Sequence, residues 1–219
     1  MKKYLLAAAV VSALGIGSAS AASVSYDFTF PLSVTEIDNT GTLGLFDSTL
    51  GTLTQATLEV TGAARFLYTG TNQAVQNQSA ILTSSTTIFW DSSINALDAL
   101  LAAIGLSDTS GVQTYAPGET KSFGPVSGSI TDTDLILNAA TLNLLQAAGG
   151  GTFTLNCQSL SGFQVQGGGG NIDTTQDTQA GCGAKITYEY NTNQTPEPAS
   201  MLLVGLGLLG LGAARRRQA

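Results

Sequence analysis

Cys157 and Cys182 are the only cysteines in the chain. Cys157 continues the alternation of Phe153 and Leu155, and Cys182 begins that of Ala184, Ile186, Tyr188 and Tyr190. Each sulfur therefore shares the apolar face of its own strand and should point into a core. An oxidising compartment would keep such a pair joined. One disulfide is expected, closing a loop of about 25 residues and worth about 3 kcal/mol in chain entropy. It should staple the glycine-rich loop at 167–170 to the body. No histidine is present. That removes the activating base of Ser-His-Asp and Cys-His catalysis and most zinc and haem sites.

The remaining chemistry is thin. Asp108-Thr109-Ser110-Gly111 departs from an aspartic-protease turn by one inserted serine, and the sequence holds no second matching turn. Gly124-Pro125-Val126-Ser127-Gly128 lacks the spacing of a nucleophile elbow. A glycosidase needs two facing carboxylates, which a sequence alone does not place. Asp132, Asp134, Asp173 and Asp177 lie in polar, loop-like stretches and are the candidates for calcium. Their spacing matches no EF-hand, and solvated carboxylates are the plainer expectation. Tyr68, Trp90, Tyr115, Tyr188 and Tyr190 would stack on sugars if exposed, but strand parity assigns most of them to the core. No cofactor is expected, and no enzyme.

The elements that must hold these residues read as mostly β. Val24 to Val34 alternate with polar neighbours, and Pro31 marks an open ladder edge. Residues 36–49 read as a long connection broken by Asn39, Gly41 and Gly44. Ala56, Leu58 and Val60 alternate, Gly62 interrupts, and Phe66 and Tyr68 resume. Ile81 to Trp90 suggests one or two strands, and 121–131 another. Ile94, Leu97, Leu101 and Ile104 have helical spacing, which predicts a helix over about 93–104, capped by Ser92 or Ser93. A second is expected over 139–148. The fold class is an antiparallel β-sandwich with two short inserted helices.

The two ends carry addresses. Lys2 and Lys3, an apolar run from Tyr4 to Ile16, and Ala19-Ser20-Ala21 form a Sec signal peptide over 1–21. Its apolar core is shorter than the roughly 20 residues needed to span a bilayer. Between Ala22 and Gln194 stand only Arg65, Lys121 and Lys185 against fourteen carboxylates, a net of −11. Such a passenger is not built for nucleic acid or anionic lipid. Over 195–219 come Pro196-Glu197-Pro198-Ala199-Ser200, an apolar run over 199–214, and Arg215, Arg216 and Arg217. The prolines hold an extended, accessible stretch. As a helix the run is about 24 Å long, marginal against a hydrocarbon core of about 30 Å. The arginines stay cytoplasmic, so the passenger faces outward.

This tripartite tail resembles the PEP-CTERM sorting signal of Gram-negative bacteria. The resemblance implies that an exosortase recognises Pro196, Glu197 and Pro198 and removes the helix. It also implies a role in exopolysaccharide or biofilm matrix. The passenger, 22–194, is similar to the choice-of-anchor E group through Phe46-Asp47-Ser48-Thr49-Leu50-Gly51-Thr52-Leu53, with Ser48 where members often carry proline. The closing strand Ile186-Thr187-Tyr188-Glu189-Tyr190 fits as well, and the resemblance implies a β-sandwich. The expected protein is a non-enzymatic surface or matrix component, first anchored in the inner membrane by its transient tail helix and then released to the surface. Its partners would be signal peptidase, exosortase, and exopolysaccharide or other copies of itself. The alternatives are a carbohydrate-binding module and a carboxylate-dependent glycosidase or lyase.

Overall fold

The computed structural model describes residues 21–192. The signal helix and the C-terminal sorting helix expected from the sequence lie outside them. Ten strands dominate: β1 (Ala21–Val34), β2 (Asp38–Asp47), β3 (Gly51–Asn72), β4 (Gln78–Ser92), β5 (Ile104–Thr109), β6 (Gln113–Tyr115), β7 (Thr120–Ile136), β8 (Gln146–Ala147), β9 (Gly151–Gly167) and β10 (Ile172–Thr192). One helix, α1 (Ala139–Leu144), precedes β8.

The strands form two sheets. One has the order β1-β10-β3-β7, and the other β5-β4-β9-β2-β8, with β6 also on β4. The long strands pair as if one antiparallel hairpin had been rolled up: β1 with β10, β2 with β9, β3 with β7, β4 with β5. That wrapping is a jelly roll. Even positions of β1, β3 and β10 and odd positions of β9 face between the sheets. The core there includes Phe46, Leu58, Phe66, Leu82, Ile88 and Leu155, all almost wholly buried.

Several sequence expectations change. Residues 36–49 are not a connection, because most of them form β2. Gly41 and Gly44 are not breakers there. A Cβ at Gly41 would fall inside the Phe28 ring, and one at Gly44 would meet the Tyr26 ring at 2.6 Å. The aromatic stripe of β1 lies over bare backbone on β2, so the strand needs glycine where it receives a ring. Gly62 does not interrupt β3 either. It faces inward, and a Cβ there would stand 2.8 Å from Ile88 and 3.0 Å from Ile104.

The two inserted helices shrink to one. Residues 93–104 wind through turns closed by i to i+3 bonds at Leu97, Asp98, Leu100 and Leu101. Ser92 Oγ accepts from Ile94 N, as a cap would, but the Asp98 carboxylate turns back to accept from Ser92 N at 2.9 Å. Ile104 then enters β5. The other three residues at helical spacing, Ile94, Leu97 and Leu101, lie in a lid of turns that presses Leu97 wholly into the core. The second helix is six residues long, capped by Asn138 Oδ1, and ends before Leu145 turns inward.

Pro31 sits on an edge strand as expected, inside a bulge where the β1–β10 register shifts. The bulged backbone rides over Gly181, where a Cβ would lie 2.9 Å from Phe30 O. Proline has no N–H to lose from a ladder at such a place.

Candidate functional site

The first and last described strands begin and end at one pole. Ala21 opens β1 and pairs with Asn191 near the close of β10. Gly51, the start of β3, pairs with Thr192. Antiparallel pairing thus brings the start of β1, where the sequence leads one to expect the signal-peptide junction, and the root of the sorting tail onto adjacent strands. Of the processing residues, Ala21 is exposed in strand β1. Ala19, Pro196, Glu197, Pro198, Arg215, Arg216 and Arg217 lie outside the described residues.

Cys157 and Cys182 are joined, with their Cα atoms 6.7 Å apart. Cys157 lies on β9 of one sheet and Cys182 on β10 of the other, so the bond crosses the core and ties sheet to sheet. It does not staple the glycine-rich loop directly, because that loop lies at the far end of both strands. Both cysteines are buried. Cys157 stands opposite Trp90, and Cys182 opposite Phe30 and Gly62. Inward parity on both strands was the signal that made this bond legible.

The four calcium candidates lie in strands rather than loops. Asp132 and Asp134 sit on β7 opposite Val60 and Leu58, on the inward side of a sheet edge. Burial raises the Asp134 pKa, with the Asp132 charge adding to the shift. Asp173 and Asp177 sit on β10 opposite Thr71 and Leu67, on the outward side. Asp132 and Asp134 are neighbours on one face of β7, Asp173 and Asp177 stand four residues, about 13 Å, apart along β10, and the four do not converge. Among the described residues no group of three metal-binding side chains forms.

The aromatic residues turn inward. Tyr68, Tyr115 and Tyr188 are fully buried and Trp90 nearly so, while Tyr190 packs half-buried against Phe46. Tyr188 donates to Gly44 O at 2.9 Å, and Tyr68 donates to Asp108 at 2.9 Å. Burial pushes the pKa of both phenols far above the ordinary range. A flat row of rings for stacking on sugars is therefore not what these residues form.

The outer face of the four-stranded sheet holds a concavity of about 550 Å³. Lys185 stands at its centre between Asp27 and Glu59 on the flanking strands, with its Nζ 3.6 Å from Glu59 Oε2. The side chains are open to water, so the pair is a surface ion pair of small energetic weight.

Two carboxylates missed by sequence reasoning organise backbone. Asp47 Oδ1 accepts from Thr49 N, Thr49 Oγ1 and Gly149 N, and those bonds, the Thr49 N–H foremost, hold its pKa below the usual value. Glu36 accepts from Ser161 N at 2.8 Å, capping the edge of β9 just before β2 begins at Asp38. The Asp-x-Thr spacing at 47–49 was a readable turn signal. Glu36 had none, because its partner is 125 residues away.

Residues 194–217 match the PEP-CTERM protein-sorting motif. The match marks the tail as the membrane-anchored sorting signal of a secreted protein, the kind processed by an exosortase. It begins two residues after β10 ends. No curated protein matches the chain. Among solved structures, one of desmodium yellow mottle tymovirus aligns over 90% of this chain and 93% of its own at 14% identity and a TM-score of 0.23. One of turnip yellow mosaic virus aligns over 80% and 98% at 8% identity and 0.20. The Cry23Aa1–Cry37Aa1 binary complex aligns over 83% and 93% at 12% identity and 0.22. At these scores the likenesses say nothing of function.

Proposed function

We propose that this chain is a non-enzymatic protein of the cell surface or extracellular matrix, exported by the Sec route and freed from its tail by an exosortase. The observation that carries the reading is the sorting motif at 194–217, set directly behind the last strand of a folded body. Two further features support it. The passenger is strongly acidic and rich in hydroxyl side chains, as suits a hydrated polymer and not a nucleic acid. Its one covalent crosslink is a buried disulfide, the kind that persists outside the cytoplasm.

The choice-of-anchor E reading of the passenger rests on Phe46–Leu53. In the fold Phe46 is wholly buried and Asp47 ties three donors into the turn that follows. Those are roles a shared fold would demand of both residues. The burial of Tyr68, Trp90 and Tyr115 weighs against a carbohydrate-binding module that stacks sugars on aromatic rings. Exopolysaccharide remains the favoured partner, engaged through hydrogen bonds.

Mass spectrometry of the surface-localised protein tests the processing. The mature chain should begin near Ala22 and end near Pro196. Arg215, Arg216 and Arg217 retained on that form would overturn the sorting claim. Binding of the processed protein to the host's purified exopolysaccharide tests the partner class, and failure to bind would remove it.

A further inference from the structure

The two sheets are not equally closed along their length. β1 pairs with β10 only as far as Val34 opposite Gln179, with Thr35 adding bonds to Thr178 O. β2 pairs with β9 only from Gln158 downward, with Ile37 and Glu36 taking the N–H groups of Ser159 and Ser161. Beyond those points, among the described residues, 172–177 of β10 and 162–167 of β9 have no ladder partner on that side of the sandwich. Main-chain groups alternate in direction along a strand. Because Thr178 O faces Thr35, the N–H and C=O of Gln176 and Thr174 face the opening too. By the same rule those of Phe163 and Val165 do so from the other sheet.

At the head of this opening lies a recess of about 290 Å³, lined by Val34, Thr35, Glu36, Ser161, Gln176, Asp177 and Thr178. Behind it, inward positions that elsewhere carry aliphatic side chains carry hydroxyls. Ser84, Thr86, Ser159 and Thr178 are each at most 6% exposed. They are linked to the mouth: Gln176 Nε2 donates to Ser84 Oγ and Thr178 Oγ1, Ser161 Oγ donates to Thr86 Oγ1, and Ser159 Oγ donates to Ile37's neighbour Glu36. A buried hydroxyl seam costs stability relative to an apolar core, and departures of that kind gather at functional sites.

We propose that this recess and the open edge below it bind a segment of neutral polysaccharide. The inference rests on the matrix reading above and names the site that serves it. Among the described residues no lysine or arginine lines the recess, so an anion finds no counter-charge from them. Glu36 and Asp177 repel a uronate or sulfate but accept hydrogen bonds from sugar hydroxyls. With both its amide hydrogens held in the seam, Gln176 offers its side-chain oxygen as a further acceptor, and the main-chain N–H groups of the open edge supply the donors. The same carboxylates, with Asp173 further along the open edge, and a passenger net charge of −11 disfavour a strand from a second acidic copy.

The test uses the processed, disulfide-bonded protein and isothermal calorimetry with cellohexaose, maltohexaose, a galacturonate hexamer and the host's exopolysaccharide. At least one neutral hexamer should bind, with the galacturonate at least tenfold weaker. Asp177→Ala and Gln176→Ala should each weaken binding at least fivefold. Asp91→Ala, on the outer face of the other sheet, should leave it unchanged. Asp177 is exposed, so its replacement keeps the fold and the comparison even if Gln176→Ala loosens the seam. Equal affinity of wild type and Asp177→Ala, or a preference for galacturonate, would overturn the site. Binding of exopolysaccharide without any neutral hexamer would overturn it and leave the matrix reading standing. Binding of no polymer would overturn both. Dimerisation with new amide protection along 172–177 would show the edge filled by a second copy, and would also overturn it.

Discussion

Cys157 and Cys182 show how far a single residue pair can be read. Their parity gave the pairing, but not that the bond would cross between sheets. Removing it as Cys157→Ala/Cys182→Ala should cost about 3 kcal/mol, or a Tm lower by about 6–12 °C for a body of this size. A thermal melt of the purified variant against the wild type checks this. Asp47 makes a second claim at this scale. Its folded pKa lies below its unfolded one. Its contribution is therefore present above the unfolded value and is lost as pH falls through the folded value. Asp47→Asn should be less stable than wild type near neutral pH, and the gap should narrow on acidification toward pH 2. Denaturant midpoints measured for both proteins across that range would decide it.

At the scale of elements, the strands of clean alternation were legible: β1, the apolar stretches of β3 and β10, and the first half of β9. Their period of two survives because each has one face on the core. What failed was punctuation. Gly41, Gly44 and Gly62 read as breaks in sequence, whereas in the fold each makes room for a side chain of a neighbouring strand. That information belongs to the partner strand and cannot be seen locally. Gly41→Val would drive a branched side chain into the Phe28 ring and should destabilise the body by about 1–3 kcal/mol. A denaturant curve measures it, and an unchanged midpoint would refute the packing account. The helix expected over 93–104 failed for a different reason. Ile104 was drawn off into β5, and Asp98 spent its carboxylate on Ser92 N. Helical spacing was real, but a lid of turns satisfies it as well.

As a whole molecule the protein is long. β3 runs for 22 residues, roughly 70 Å at the usual rise per strand residue. Both junctions lie at one end of that length, and the β9–β10 connection at 168–170 lies at the other. While the tail is in the membrane, the 168–170 end should stand farthest from it. A fluorophore on Gln166→Cys should be quenched by lipid-borne quencher far less than one on Ser23→Cys. Equal quenching would mean the body lies along the surface. The open edge of residues 162–167 and 172–177 falls in the outer half, where a polymer would be met first.

The placement of Cys182 has a mechanical consequence. A load drawn through the tail root runs along β10, which lies between β1 and β3, so both ladders resist it in shear and not by unzipping. Ten residues above Thr192 the strand is fastened through Cys182 to β9 in the opposite sheet. Single-molecule extension from the C-terminal end should therefore halt at Cys182 in the oxidised protein and continue past it after reduction. The bond that closes the core also limits how much of the strand a pull can draw out.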